Sequence, residues 1–279
     1  MDLLDRDLSK VQLSVTHKRL EELHPADVAD ILEQLDPAQR AHVFQHLDEA
    51  HASDTVAELG EDIQAEFIED LDEHKASKLL GNMDPDDAAE IVRDLSYDKA
   101  EKLLRLMGVE DATEIRQLLG YKDGTAGGMM TTQYVAVRNN STVNETIAVL
   151  RELDEDHPSV HYIYVVDEAE RLVGVVSLKA LAINNGNKQI ANIMVTDNIL
   201  SVSPDEEEDE VSEDIFKYDL TAMPVVDERK KLLGIVTTED AWDAIEDDVK
   251  DDRRRVTVLR GIGIAITAII FLSLFAVAV

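Results

Sequence analysis

The sequence predicts an α superhelix of short 12-residue helical repeats, followed by a duplicated α/β unit and a single C-terminal hydrophobic helix. Three observations predict it. Leu or Met recurs at a strict 12-residue period from Leu23 to Met107, a strand and helix order occurs twice after residue 135, and the stretch from Gly261 to Val279 carries no charge.

The repeat begins with the segments LHPADVADILEQ and LDPAQRAHVFQH. Its first position is filled by Leu23, Leu35, Leu47, Leu59, Leu71, Met83, Leu95 and Met107. The second holds Asp36, Asp48, Asp72, Asp84 and Ser96, residue types that cap a helix by accepting backbone N–H bonds. The third is Pro25, Pro37 and Pro85 in some units and Glu49, Glu61 and Glu73 in others, which suits the first helical turn and its positive dipole end. Apolar residues then fall on one helix face, as in Ile31, Leu32 and Leu35. Each unit is thus a helix of about two turns that cannot bury its own apolar face, so the units must stack into one array.

Gly120 can end the last helix, and DGTAGG at 123–128 reads as a flexible, turn-rich linker. Beyond it VAV at 135–137, IYVV at 163–166 and LVGVVS at 172–177 are strand-like, and TVNETIAVLREL at 142–153 is helical, opened by Ser141 or Thr142. The order recurs with ILSV at 199–202, a helix over 210–219, PVV at 224–226 and LLGIVT at 232–237.

A formal charge of −32 disfavours nucleic acid and favours cations as partners. The absence of cysteine removes disulfide and thiolate chemistry. No nucleophile–base pairing, phosphate loop or metal–histidine spacing points to an enzyme, and the eight histidines are scattered without ligand periodicity. The uncharged stretch from Gly261 to Val279 makes roughly 28 Å of helix, about one bilayer core, with a buried C-terminal helix as the competing reading. Arg253, Arg254, Arg255 and Arg260 precede this segment, which places the acidic part in the cytoplasm and the chain in the cell inner membrane with a single span.

Two segments carry a family resemblance: IYVVDEAERLVGVVSL and MPVVDERKKLLGIVTTEDA share a V-V-D strand end, a hairpin and an L-h-G-h-h-[ST] strand. They look like a tandem pair of CBS domains. With the helical array and the junction GYKDGTAGGMMT, residues 20–250 resemble the cytosolic part of MgtE magnesium transporters. The corresponding division is a helical-repeat N domain over 1–122, a linker over 123–128, CBS domains over 129–190 and 191–250, and a basic flank with one transmembrane segment over 251–279.

The resemblance implies that Mg2+ bridges the N domain and the CBS pair and favours the closed state. It also implies a homodimer through the CBS domains. Carried over by position, the metal ligands are Asp54, Asp86, Asp87 and Glu90 on the array, with Glu207, Asp209, Asp219, Asp240, Asp243 and Asp248 on the CBS side. Carboxylate oxygens suit Mg2+, and Mn2+ or Ca2+ as well. For Glu206 to Glu210 a solvated helix start competes with ligation, and for Asp36, Asp48 and Asp84 capping is the better reading. CBS pairs also hold adenosine nucleotides such as ATP, for which the implied residues are Thr237, Asp240 and Tyr162; Ala180 replaces the corresponding aspartate in the first unit, and Leu220 stands where an aromatic stacker would help.

One hydrophobic segment is fewer than the family's pore requires. The chain therefore reads as a regulatory partner of a separate pore-forming domain, a pore-less member, or part of a longer product. An adenosine-nucleotide sensor and a membrane-tethered scaffold without transport function are the alternative functions.

Overall fold

The repeats become helices whose starts are set by proline and by short polar residues. The computed structural model describes Leu20, residues 22–153, Val160 and residues 162–245. The described backbone divides into two compact units, one running to Lys122 with Thr131–Gln133, the other holding Asp123–Met130 and the chain from Tyr134 on.

The first unit contains α1 (Pro25–Glu33), α2 (Pro37–Phe44), α3 (Glu49–Ala57), α4 (Glu61–Asp70), α5 (Glu73–Leu80), α6 (Pro85–Asp94), α7 (Tyr97–Leu106) and α8 (Val109–Leu118). Pro25, Pro37 and Pro85 open α1, α2 and α6, where a missing N–H costs nothing. Asp36 accepts from the Gln39 amide at 2.9 Å and Asp48 from the His51 amide at 2.9 Å, while Asp72 accepts from His74 and Lys75. Asp84 and Ser96 correct the capping expectation. Both occupy the N-cap position, yet neither side chain makes a cap bond, and the Ser96 hydroxyl instead donates to Glu69 Oε1 at 2.8 Å.

Packing follows a period of two units. Helices α1, α3, α5 and α7 pack in one series and α4, α6 and α8 in another, so successive units alternate between two layers. The apolar positions meet along each series: Val28, Val56, Leu80 and Leu103 are fully buried on the first, Ile68 and Ile115 on the second. Burying each such side chain contributes about 1.5–3 kcal/mol, which no isolated two-turn helix could collect. Polar bonds obey the same step. Lys78 pairs with Glu49 at 2.5 Å, and the equivalent pair two repeats on, Lys102 with Glu73, closes at 2.9 Å. The Ser53 hydroxyl donates to the Leu79 carbonyl at 3.1 Å, again from α3 to α5.

In the second unit, α9 (Ala126–Met129) precedes β1 (Ala136–Arg138), α10 (Val143–Leu150), β2 (Tyr162–Val166), β3 (Leu172–Ser177), α11 (Leu178–Ile183) and a 3-10 turn at Ile190–Asn192; α12 (Glu208–Lys217), β4 (Ala222–Val226), β5 (Leu232–Thr237) and a helix from residue 238 follow. β1 runs parallel to β2 and β2 antiparallel to β3, while β4 and β5 form a separate antiparallel pair. The copies match in detail, with a bulge between Val165 and Val166 and another between Val225 and Val226. Thr142, rather than Ser141, caps α10, in a capping box with Glu145.

The two hairpin turns lock onto each other. The Leu172 amide donates to the Lys230 carbonyl at 2.8 Å and the Leu232 amide to the Glu170 carbonyl at 3.3 Å, with Lys231 paired to Glu170 at 2.8 Å. Asp167 and Asp227 organise the turns identically, each accepting from the amides two and four residues on. Beneath them Tyr164, Val166, Val226, Leu232 and Ile235 form a core shared by both copies.

Two expectations fail here. ILSV at 199–202 is not a strand: only Val202 makes a bridge, to Val225, although its amide and carbonyl are both used in that ladder. Nor is 123–128 flexible. Thr125, Ala126, Gly127 and Gly128 are buried, and the Ala126 and Gly127 amides donate to the Glu206 and Pro204 carbonyls at 2.8 and 2.9 Å. The small residues that suggest a linker serve close backbone approach instead. The expected hydrophobic span, its basic flank and Asp248 lie outside the described residues; among those described, no helix is long and apolar enough to cross a membrane.

Candidate functional site

On the first unit the proposed ligands sit on two helices. Asp54 is exposed on α3. Asp86 and Asp87 occupy the first turn of α6, both half-buried, with Glu90 exposed one turn later. Asp86 and Asp87 add negative charge to this helix N-terminus, where the dipole favours it.

On the second unit, Glu207 is the N-cap residue of α12 and makes no side-chain cap bond, and Glu208, Asp209 and Glu210 fill the first turn. The acidic run is therefore both a helix start and a concentrated anionic edge. Asp219 follows α12 with φ at 53°, in the left-handed region. Its amide donates to the Phe216 carbonyl at 3.4 Å and the Leu220 amide to the Ile215 carbonyl at 3.0 Å, the paired bonds of a Schellman C-cap. Aspartate tolerates this conformation better than most side chains, so the backbone alone gives Asp219 a role in the fold.

Asp240 also has a local role. Its Oδ2 accepts from the Thr237 amide at 2.7 Å and the Thr237 hydroxyl at 3.0 Å, and the Asp240 amide donates back to that hydroxyl at 3.3 Å. This capping box starts the helix after β5. In the first copy Ser177 accepts from the Ala180 amide at 3.2 Å, so the cap survives where the carboxylate is absent. Asp243 is exposed on the same helix as Asp240, and Tyr162 is half-buried at the start of β2.

Sequence reasoning looked for an aromatic at Leu220 and missed the one nearby. Phe216 on α12 packs edge-on against Trp242, with ring centroids 4.9 Å apart, and Trp242 is 61% exposed two residues from Asp240. Its being the sole tryptophan of the chain was the available signal. His42 and His46 bring their rings to 5.2 Å at the end of α2, and Gln45 bonds His42 Nδ1 at 2.7 Å. Among the described residues, neither unit by itself gathers three or more acidic or histidine side chains into a metal cage.

Comparison with known proteins agrees with this organisation. The family model of the MgtE intracellular N domain matches residues 23–124, and that of the CBS domain matches 126–183 and 190–241. The magnesium transporter MgtE of Thermus thermophilus is 42% identical over 132 residues, 47% of this chain and 29% of that protein. That of Enterococcus faecalis is 39% identical over 135 residues, 48% of this chain and 30% of its own length. The aligned segments thus span less than a third of these relatives. Among solved structures, the soluble part of a magnesium transporter is 32% identical with a TM-score of 0.77, covering 86% of this chain and 94% of that one. The cytosolic domain of the Mg2+ channel MgtE in complex with ATP is 33% identical with a TM-score of 0.79, covering 85% of this chain and 96% of that one. A helical N domain built on the 12-residue repeat, followed by a CBS pair, places this chain in the MgtE magnesium transporter family.

Proposed function

We propose that this chain is the magnesium-sensing regulatory part of an MgtE-like transporter, in which Mg2+ bridging the N domain and the CBS pair favours the closed state. The observation that carries the reading is the likeness of 86% of the chain to the soluble part of a magnesium transporter. Its chemistry is supported by the net charge of −32 and by the acidic helix starts at Asp86–Asp87 and Glu207–Glu210. Mg2+ keeps several waters and takes one or two carboxylates, so a full cage within one unit is not needed. Asp54, Asp86, Asp87 and Glu90 would face the ion from the array, and Glu207, Asp209, Asp219, Asp240, Asp243 and Asp248 from the CBS side. Mn2+ and Ca2+ are accepted by the same donors.

The mechanism is a contest between repulsion and bridging. Carboxylates on both partners repel at low Mg2+ and are drawn together when the ion fills between them. The reading carries the N domain at 1–122, the junction at 123–128, CBS domains at 129–190 and 191–250, and residues 251–279 as the attachment to the inner membrane. It also carries a CBS-mediated homodimer and a pore supplied by further membrane helices. Small-angle scattering of the full chain in non-ionic detergent, titrated with Mg2+ to roughly millimolar levels, should show compaction. An unchanged radius sinks the proposal.

A second reading, adenosine-nucleotide sensing, is favoured by one observation: a similar cytosolic domain is known in complex with ATP. Thr237 and Asp240 lie together here, and Tyr162 belongs to the same unit. Trp242 fluorescence titrated with ATP tests it.

A further inference from the structure

The residues between the two CBS matches, NNGNKQ at 184–189, close onto the start of α10. The Gly186 and Lys188 carbonyls accept from the Asn144 and Val143 amides at 2.9 and 3.0 Å, Gln189 bridges to Thr142, and the Ile190 amide donates to the Ser141 carbonyl at 2.8 Å. Two of the first amides of α10, which have no partner within the helix, are thereby satisfied. The fit demands glycine at 186, because an added Cβ would collide with the Asn144 side-chain amide.

That glycine follows Asn185. Of the nine asparagines in the sequence Asn185 alone precedes a glycine, so no neighbouring side chain shields its Cγ from the next amide nitrogen. Asn185 is exposed, and among the described residues the Gly186 amide donates no hydrogen bond. The Asn187 amide donates to Asn185 Oδ1 at 3.0 Å, which draws electrons from Cγ and stabilises the charge that an attack there would place on that oxygen. Asn140, followed by the small Ser141, is the nearest competitor in sequence, but the Ser141 amide is already bonded to the Arg138 carbonyl at 3.0 Å. The amides that follow Asn82, Asn187 and Asn192 are engaged in the same way.

We propose that the Asn185–Gly186 peptide is a site of spontaneous deamidation that loosens the first CBS copy as the protein ages. Hydroxide removes the Gly186 amide proton and the nitrogen attacks Asn185 Cγ. The Cγ–Nδ2 bond then breaks as Nδ2 takes a proton from water and leaves as ammonia, which regenerates hydroxide and leaves a succinimide. Water opens the ring at either carbonyl, giving aspartate or isoaspartate. Isoaspartate carries the main chain through Cβ, which inserts one atom beside Gly186 and pulls the Gly186 and Lys188 carbonyls out of register with α10. The inference does not rest on the magnesium reading.

The test ages the full chain in non-ionic detergent at mildly alkaline pH, with peptide mass spectrometry, enzymatic methylation of isoaspartate and thermal unfolding on the same samples. The Asn185 peptide should show the amide-to-acid mass shift before any other asparagine, with isoaspartate the larger product. The unfolding midpoint should fall by about 4 °C or more as the two carbonyl bonds are lost. Asn185→Gln should hold its midpoint on ageing. Fresh Asn185→Asp, which adds the charge without the extra chain atom, should unfold as the fresh native chain does. Earlier conversion at Asn140 or any other asparagine, an aged chain that keeps its midpoint, or an equal loss in aged Asn185→Gln overturns the proposal, as does a fresh Asn185→Asp already as weak as the aged chain.

Discussion

Asp240 Oδ2 lies 2.7 Å from the Thr237 amide and 3.0 Å from the Thr237 hydroxyl, so the carboxylate expected to reach a ribose or a cation also starts the last described helix. Asp240→Ala should therefore cost about 1 kcal/mol of stability, as loss of a capping contact does. If the nucleotide reading holds, the same variant loses the ATP-dependent change in Trp242 fluorescence, while Thr237→Ser retains it. Thermal unfolding and an ATP titration on the same samples separate the two effects.

Asp86→Asn with Asp87→Asn removes the charge from the first turn of α6 without touching a cap bond, since the Asp84 side chain forms none. The loss in stability should stay within about 1–2 kcal/mol, the worth of two acids at a helix N-terminus. The midpoint of Mg2+-induced compaction should move to higher concentration. An unchanged midpoint in small-angle scattering removes these two residues from the ligand set.

Repeat-equivalent aspartates should not be equivalent in energy. Asp36→Ala breaks a reciprocal capping box with Gln39 and should cost about 1 kcal/mol. Asp84→Ala should cost less by the worth of that bond. Chemical denaturation of the two variants decides the order.

Gly174 lies on β3, where an added Cβ would stand 2.6 Å from Met194 Sδ and 3.1 Å from Met194 Cβ. Gly174→Ala should destabilise by about 1–3 kcal/mol, the usual cost of overpacking. Combining it with Met194→Ala should recover part of that loss, measured as a double-mutant cycle.

Glu145 accepts from the Thr142 amide at 2.7 Å and the Thr142 hydroxyl at 2.9 Å, and the amide bond first, then the hydroxyl, holds its carboxyl below the ordinary value. A depressed carboxyl contributes stability above its unfolded pKa and loses it as pH falls through the folded one. The advantage of the native chain over Glu145→Gln should therefore be constant above about pH 5 and shrink below about pH 4, read from unfolding midpoints across that range.

The helical array was legible because each unit announces itself locally: a recurring Leu or Met, a short polar residue, then Pro or Glu. What the pattern could not show is partner choice, since a 12-residue period is equally consistent with each helix packing on its neighbour or on the next but one. ILSV has strand-forming residues and still bridges only at Val202, because strand formation depends on what lies alongside. DGTAGG misled for the opposite reason: its small residues permit the Ala126 and Gly127 amides to reach the Glu206 and Pro204 carbonyls, a long-range pairing invisible in the local sequence. Asp219 drew attention as a ligand through its motif, while its left-handed backbone at φ 53° became apparent only in three dimensions. Among the carboxylates, spacing identified which helix starts are acidic but not which of those acids are already engaged in caps.

The ion pair Lys78–Glu49 and its counterpart Lys102–Glu73 are separated by two sequence repeats, not one. The array's unit of inheritance is therefore a pair of helices. Deleting or inserting a single repeat would transfer every helix downstream to the opposite layer and face each apolar stripe toward the wrong neighbours. Adding or removing two repeats together would leave every later contact in register, so natural or engineered length variants of this domain should differ by whole helix pairs.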